Sequence, residues 1–201
     1  MPHSYKKNAA AIYAESFATI RAEADLARFT SAEELVVVRM IHAAGMVGLA
    51  PFVQFTTDFA LAARAALEGG APILCDTRMV SEGITRTRLP ADNQVICTLH
   101  DPQVRQMAED AGNTRSAVSL ELWRPYLAGA VVAIGNAPTA LFHLLNMLED
   151  VSCPRPAANY WLSCWVCGGK RKQSGADGRP ARAQLYCRRA FGGQCDNRFS
   201  S

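Results

Sequence analysis

Three short apolar runs most constrain what this chain can become. They read Ala71-Pro72-Ile73-Leu74-Cys75-Asp76, Gln94-Val95-Ile96-Cys97-Thr98 and Ala130-Val131-Val132-Ala133-Ile134-Gly135. Each is too short for a helix and lacks the polar alternation of a half-exposed strand. Runs of that kind are strands buried on both faces. Helical stretches near 102–111 and 114–127 lie between the second and third, and another, 138–148, follows the third. Buried strands alternating with helices predict βα units, hence an α/β fold with a doubly wound parallel sheet. Asp76, Thr98 and Asn136 fall just after the strands, at the carboxyl edge where such sheets take ligands.

Ahead of the first strand the pattern is helical. Residues 8–28 are Ala-rich without Gly or Pro, and Ala9, Ile12, Ser16, Ile20 and Ala24 share a face. A second helix is expected over 33–45. Thr30 or Ser31 is its cap, Glu33 and Glu34 suit its first turn, and Gly45 ends it. Leu35, Val38, Ile41 and His42 fall on one stripe, so by its spacing His42 reads as a half-buried core histidine. A third helix is expected over 58–67, capped by Thr57 or Asp58 and closed by Glu68-Gly69-Gly70.

Candidate chemistry is sparse. Arg39 lies one turn before His42. Arg86 and Arg88 stand in Gly83-Ile84-Thr85-Arg86-Thr87-Arg88-Leu89, and Arg115 in Gly112-Asn113-Thr114-Arg115-Ser116, where Thr114 can start a helix. Guanidinium forks and helix-start amides can hold an anion, although each Arg taken alone also reads as a solvated surface charge. His143, beside Leu144 and Leu145, reads as packing or an interface, His100 is a lesser candidate, and His3 falls in an unstructured start. Cys75 and Cys97 read as core packing. HExxH, GxSxG, P-loop and GxGxxG motifs are all missing, so nothing in residues 1–158 points to a metal, a nucleotide or a covalent nucleophile.

Composition matters at one place. The 201 residues carry a net charge of +3, too weak to imply a nucleic-acid partner. No apolar run approaches a membrane span and no secretory core follows Met1, which leads us to expect a cytoplasmic protein. The average hides a seam near Ala158. Residues 159–201 hold eight Lys or Arg against two Asp, and four of the seven cysteines, whereas residues 1–158 are net acidic. Cys164-Trp165-Val166-Cys167 followed by Cys187 and Cys195 suggests a zinc ribbon, but the second pair is separated by seven residues rather than two to four.

Taken together, Ala71-Pro72-Ile73-Leu74-Cys75-Asp76, the Gly83–Leu89 and Gly112–Ser116 blocks, Ala133-Ile134-Gly135-Asn136-Ala137-Pro138-Thr139-Ala140-Leu141 and Arg39-Met40-Ile41-His42-Ala43 resemble precorrin-8X methylmutase. The resemblance runs from about Tyr5 to Ala158. It implies a Rossmann- or flavodoxin-like doubly wound sheet, N-terminal helices and a homodimer with its active site near the subunit interface. It implies a [1,5]-sigmatropic shift of a methyl group from C-11 to C-12 of precorrin-8X, giving hydrogenobyrinic acid in cobalamin biosynthesis, with no cofactor and no metal. His42 corresponds to the histidine that protonates the macrocycle. The chemistry agrees, since such a shift needs a shaped pocket and one proton donor titrating near neutrality. From motif position and charge, Ser16, Arg39, Thr85, Arg86, Arg88, Arg115 and Ser116 are the candidate binders of the substrate carboxylates. The cobalt-containing precursor of the anaerobic pathway is an alternative substrate, and a non-catalytic corrinoid binder an alternative role.

Beyond Ala158 the resemblance stops. The family continues with a strand and glycine-rich loops, roughly I-I-G-x-P-V-G-F-V-G-A-A-E-S-K and later E-G-R-x-G-G-S. This chain reads Asn159-Tyr160-Trp161-Leu162-Ser163-Cys164-Trp165-Val166-Cys167-Gly168-Gly169. Back-translation with the first base dropped allows ATT ATT GGC TGT CCT GTT GGG TTT GTG GGG, or I-I-G-C-P-V-G-F-V-G. The same offset lets the run from Lys170 to Ala176 encode E-S-K-A-A, and the run from Cys187 to Cys195 encode V-E-G-R-L-G-G-S. Residues 159–201 therefore read as a frameshifted, basic, Cys-rich C-terminus on a methylmutase domain of residues 1–158. On that reading the last strands are missing and the tail has little regular structure. A genuine zinc- or nucleic-acid-binding tail is the other reading.

Overall fold

A computed structural model describes residues 6–161 and 183–187. The chain forms two compact units, one running to Phe52 and one spanning Val53–Cys187.

The N-terminal unit is built on two helices. α1 (Ala9–Glu23) starts at Asn8, whose Oδ1 accepts the Ala11 N–H at 3.1 Å. Ile20 is its buried residue and Ile12 is 42% exposed, so the expected apolar face is mostly open. α2 (Ser31–Ala44) starts in a capping box. Thr30 Oγ1 accepts the Glu33 N–H, and the Thr30 N–H donates to Glu33 Oε2 at 2.8 Å. Such caps contribute about 1 kcal/mol. Gly45 ends the helix at φ 64°, the left-handed backbone that glycine adopts without strain. Val37, Val38, Met40 and Ile41 are buried and Leu35 is 57% exposed, so the stripe drawn through Leu35 is displaced around the helix. Arg21 Nε donates to Glu34 Oε1 at 2.7 Å between the two helices. A 3-10 segment, Val47–Phe52, closes the unit with Leu49 and Ala50 buried.

The second unit is a six-stranded sheet in the order β1-β6-β5-β4-β2-β3. Its elements are β1 (Val53–Phe55), α3 (Phe59–Glu68), β2 (Ile73–Cys75), α4 (Arg78–Gly83), β3 (Val95–Ile96), α5 (Gln103–Asp110), α6 (Arg115–Val118), β4 (Val131–Ile134), α7 (Pro138–Glu149), β5 (Ala158–Trp161) and β6 (Ala183–Cys187). All pairings are parallel except β1 with β6. The doubly wound parallel sheet expected from the three runs is present, with one antiparallel edge strand. Alternate side chains of β2 and β4 enter two cores, as the strand period of two requires. Leu74, Val132 and Ile134 pack with Leu120, Trp123 and the α7 residues Leu141 and Leu144. Ile73, Cys75, Val131 and Ala133 pack on the other face with Ala66, Leu67 and Val80.

The structure departs from the sequence reading at several points. β1 and α4 were not legible as elements. Asp58 stands at the start of α3 with φ 62°, and its side chain makes no cap bond. The helix expected over 114–127 is α only as far as Val118 and continues as a 3-10 segment, Ser119–Tyr126. Pro125 has no N–H to give an α-ladder, which fits the tighter turn. The expectation that the sheet would lack its last strands is also corrected. β5 pairs with β4 through Val131↔Ala158 to Ile134↔Trp161, and β6 pairs with β5. Tyr160 and Trp161 are strand formers and extend the ladder past the seam. Asn159 fits poorly: it is 3% exposed and its Oδ1 has no hydrogen-bond partner. Cys164, Cys167 and Cys195, three of the four tail cysteines of the alternative zinc reading, and all tail residues other than 159–161 and 183–187, lie outside the described residues.

Candidate functional site

Within the N-terminal unit, α2 presents His42 to α1. The face of α1 that meets it carries Tyr13, Ser16 and Phe17, which share one side of a helix at i, i+3 and i+4. Ser16 Oγ lies 2.7 Å from His42 Nδ1. The Tyr13 ring centroid is 5.1 Å from that of His42, and the Phe17 ring is 5.3 Å away at 84°, edge to face. Arg39, one turn back on α2, is exposed and places its guanidinium carbon 5.6 Å from the Phe17 centroid. His42 is half-buried, as its place near the stripe suggested. Three predicted site residues, Ser16, Arg39 and His42, thus form one cluster. Spacing arguments missed Tyr13 and Phe17, although their offset from Ser16 was a readable signal.

The second unit holds the remaining candidates. Thr85 precedes a 3-10 turn, Arg86–Arg88, closed by Arg88 N–H donating to Thr85 O at 3.0 Å. Thr85, Arg86 and Arg88 are all exposed, and Arg86 approaches Glu82 only to 3.8 Å. Arg115 opens α6 after Thr114, whose Oγ1 accepts the Ala117 N–H at 3.2 Å. It helps line a shallow concavity of about 370 Å³ with Arg105, Ala108, Glu109 and Asn113. Arg105 is committed to Glu109 at 3.2 Å, which makes Arg115 the freer cation there. Ser116 is half-buried beside it in sequence, and its carbonyl accepts from Ser119 Oγ.

Two of the three polar residues expected at the carboxyl edge of the sheet, Asp76 and Thr98, are spent internally. Asp76 is 1% exposed. Its Oδ1 accepts the Gly135 N–H at 3.1 Å, and its Oδ2 accepts the Asn136 and Ala137 N–H groups at 3.0 and 2.9 Å. These are the amides of the loop between β4 and α7, which ends at the N-cap residue Ala137, so a buried carboxylate sits just ahead of that helix. Glycine is needed at 135, since a Cβ there would come within 2.7 Å of Val80 Cγ2. Thr98 Oγ1 donates to Ser119 O at 2.7 Å. Cys75, buried in β2, has its thiol pushed up to about 12, first by burial and then by Cys97 and Asp76. It is protonated at neutral pH and is packing, as expected. His143, on α7, bonds Glu121 Oε1 through Nε2 at 2.7 Å, and Arg124 Nε donates to Glu121 Oε2 at 2.8 Å. Among the described residues no group of His, Cys, Asp and Glu forms a metal-binding cluster, and no helix is long and apolar enough to cross a membrane.

Comparison with known proteins matches this arrangement to one family. The family model described as precorrin-8X methylmutase matches residues 11–158. The precorrin-8X methylmutase of a Sinorhizobium species is 58% identical over 156 residues, 78% of this chain and 74% of that protein. That of Pseudomonas aeruginosa is 57% identical over 153 residues, 76% of this chain and 73% of its own length. A solved structure titled as the precorrin-8X methyl mutase of Thermus thermophilus superposes with a TM-score of 0.71 at 30% identity, covering 89% of this chain and 85% of that one. The match to the family ends at Ala158, where the sequence changes character, and this chain belongs to the precorrin-8X methylmutase family.

Proposed function

We propose that this chain isomerises precorrin-8X to hydrogenobyrinic acid in cobalamin biosynthesis, with His42 as its proton donor. The supporting observation is a histidine with one ring nitrogen engaged, set in a chain with family similarity over 11–158. In this reading His42 gives a proton to the macrocycle. The bond from the migrating methyl to C-11 breaks as its bond to C-12 forms, and the proton returns to His42. Atoms and charge balance without a nucleophile, an oxidant or a metal, so the protein needs a shaped site and one acid of suitable pKa. Arg39, Arg86, Arg88 and Arg115, with Thr85 and Ser116, bind the carboxylate side chains by charge-assisted hydrogen bonds. We assign the enzyme a homodimeric state and a cytoplasmic location. The name shared by the two relatives above 55% identity favours the metal-free substrate over its cobalt form.

A second reading, a corrinoid binder without turnover, is favoured by the buried, unpartnered Asn159 Oδ1 just past the end of the family match. We take residues 159–201 to be a shifted reading of the family's C-terminus. The test is turnover and binding of precorrin-8X by this chain, by its His42→Asn variant and by a chain with the alternative frame restored from codon 159. Turnover should fall by roughly 100-fold or more in His42→Asn while binding persists. Full turnover in that variant would remove His42 from the chemistry. Turnover only in the restored chain would assign the present chain to the binding role.

A further inference from the structure

We infer that Ser16 is a positioning residue for His42 that commits Nδ1 and leaves Nε2 to exchange the proton, with Tyr13 and Phe17 bracing the ring. The inference rests on His42 being the acid. Ser16 Oγ is 2.7 Å from Nδ1, and Nε2 has no hydrogen-bond partner among the described residues. An acid that gives up a proton and takes the same proton back must keep its other nitrogen in one state throughout. With Nδ1–H donating to Ser16 Oγ, the imidazolium and the neutral ring differ only at Nε2, and the hydrogen bond survives both transfers. Accepting from Nδ1–H uses a lone pair of the Ser16 hydroxyl and leaves its own O–H hydrogen unspent, so the positioning role does not draw on that donor.

The aromatic neighbours support the same geometry. Tyr13 at 5.1 Å with a 40° tilt and Phe17 at 5.3 Å and 84° contact the imidazole from the same helix face as Ser16. Rotation of the imidazole by half a turn would exchange Nδ1 for carbon at Ser16, and the two rings crowd that motion. One face of α1 therefore sets both the tautomer and the orientation of a residue on α2.

The test uses the full chain labelled with 15N-histidine. In the parent, at a pH where His42 is neutral, the ring should show a protonated Nδ1 and an unprotonated Nε2. Ser16→Ala should mix the tautomers, and Ser16→Thr, which keeps the hydroxyl, should restore them. In a chain with turnover, Ser16→Ala should lower kcat by roughly 10- to 100-fold, the worth of a hydrogen bond to a charged group, with KM changed less than about threefold. An unaltered ring spectrum in Ser16→Ala, or a raised KM with kcat intact, would overturn the inference in favour of substrate binding. The ring spectrum is read without turnover, so failure of the acid role in His42→Asn is seen separately from failure of the positioning role.

Discussion

Replacing Asn159 by valine should stabilise this protein, which is an unusual expectation for a substitution in a central strand. Asn159 is 3% exposed, faces Val132 of β4 in register and leaves Oδ1 without a partner. Burial of an unsatisfied acceptor costs about 1–3 kcal/mol. Strand preference of Val over Asn adds up to about 1 kcal/mol. Because contributions at one site overlap, the expected gain is about 2–3 kcal/mol. Equilibrium urea unfolding reads it directly: at a slope of about 1–3 kcal/mol/M the midpoint rises by about 1 M or more with the slope unchanged. Asn159→Ile, the residue of the alternative frame, should match or exceed it, because it removes the same unpaired acceptor and puts a larger apolar side chain in the buried strand. A midpoint equal to or below that of the parent in both variants would refute the reasoning. It would show that the strand accommodates asparagine, and the structural support for a shifted frame would fall with it.

Two further outcomes follow from buried charge. Asp76→Asn keeps the shape but turns an acceptor into a donor facing backbone N–H groups, so it should cost about 3–5 kcal/mol and selectively lower hydrogen-exchange protection at Gly135, Asn136 and Ala137; unchanged protection there would refute the clip. Burial works against the charge on Glu121, but hydrogen bonds from Arg124 and His143 outweigh it and hold the carboxyl below its ordinary 4.5. A depressed carboxylate adds stability above its unfolded pKa and loses it as pH falls through the folded one. The parent should therefore lose this share in urea titrations below about pH 4.5, Glu121→Gln should lose less over that range, and parallel acid limbs would count against the network.

The parallel sheet was legible because β2 and β4 are buried on both faces, which no pattern other than a continuous apolar run can serve. The limits of legibility are equally physical. β1 is three residues long and edge-paired, so its pattern carries almost no period. β3 is formally two residues long within a five-residue stretch whose apolar centre is Val95-Ile96-Cys97, because an edge strand pairs on one side only. α4 has six residues and reads as loop, since its start is marked only by Thr77, whose Oγ1 accepts the Val80 N–H. Leu35 misled the stripe because a lone exposed leucine obeys helix spacing as well as a core one does. At the site, His42, Ser16 and Arg39 could be named from motifs and chemistry. The direct bond from Ser16 to His42 could not, because it joins two helices whose packing no local pattern encodes. Asp76 was placed correctly at the carboxyl edge but not as an internal ligand, since its three partners lie 59 to 61 residues away.

That internal ligand has a wider consequence. Open α/β sheets often keep the amides at a helix start vacant for a phosphate or another guest anion. Here the loop leading into α7 turns its amides onto the protein's own carboxylate. The scaffold has given up its backbone receptor in exchange for a rigid junction between β2, β4 and α7. On the proposed function, recognition of a guest bearing many carboxylates falls to side-chain cations, which can be repositioned by changing surface loops without disturbing the sheet. Divergence in the size and charge of the guest is free to proceed on the periphery, while the centre of the fold stays closed to it.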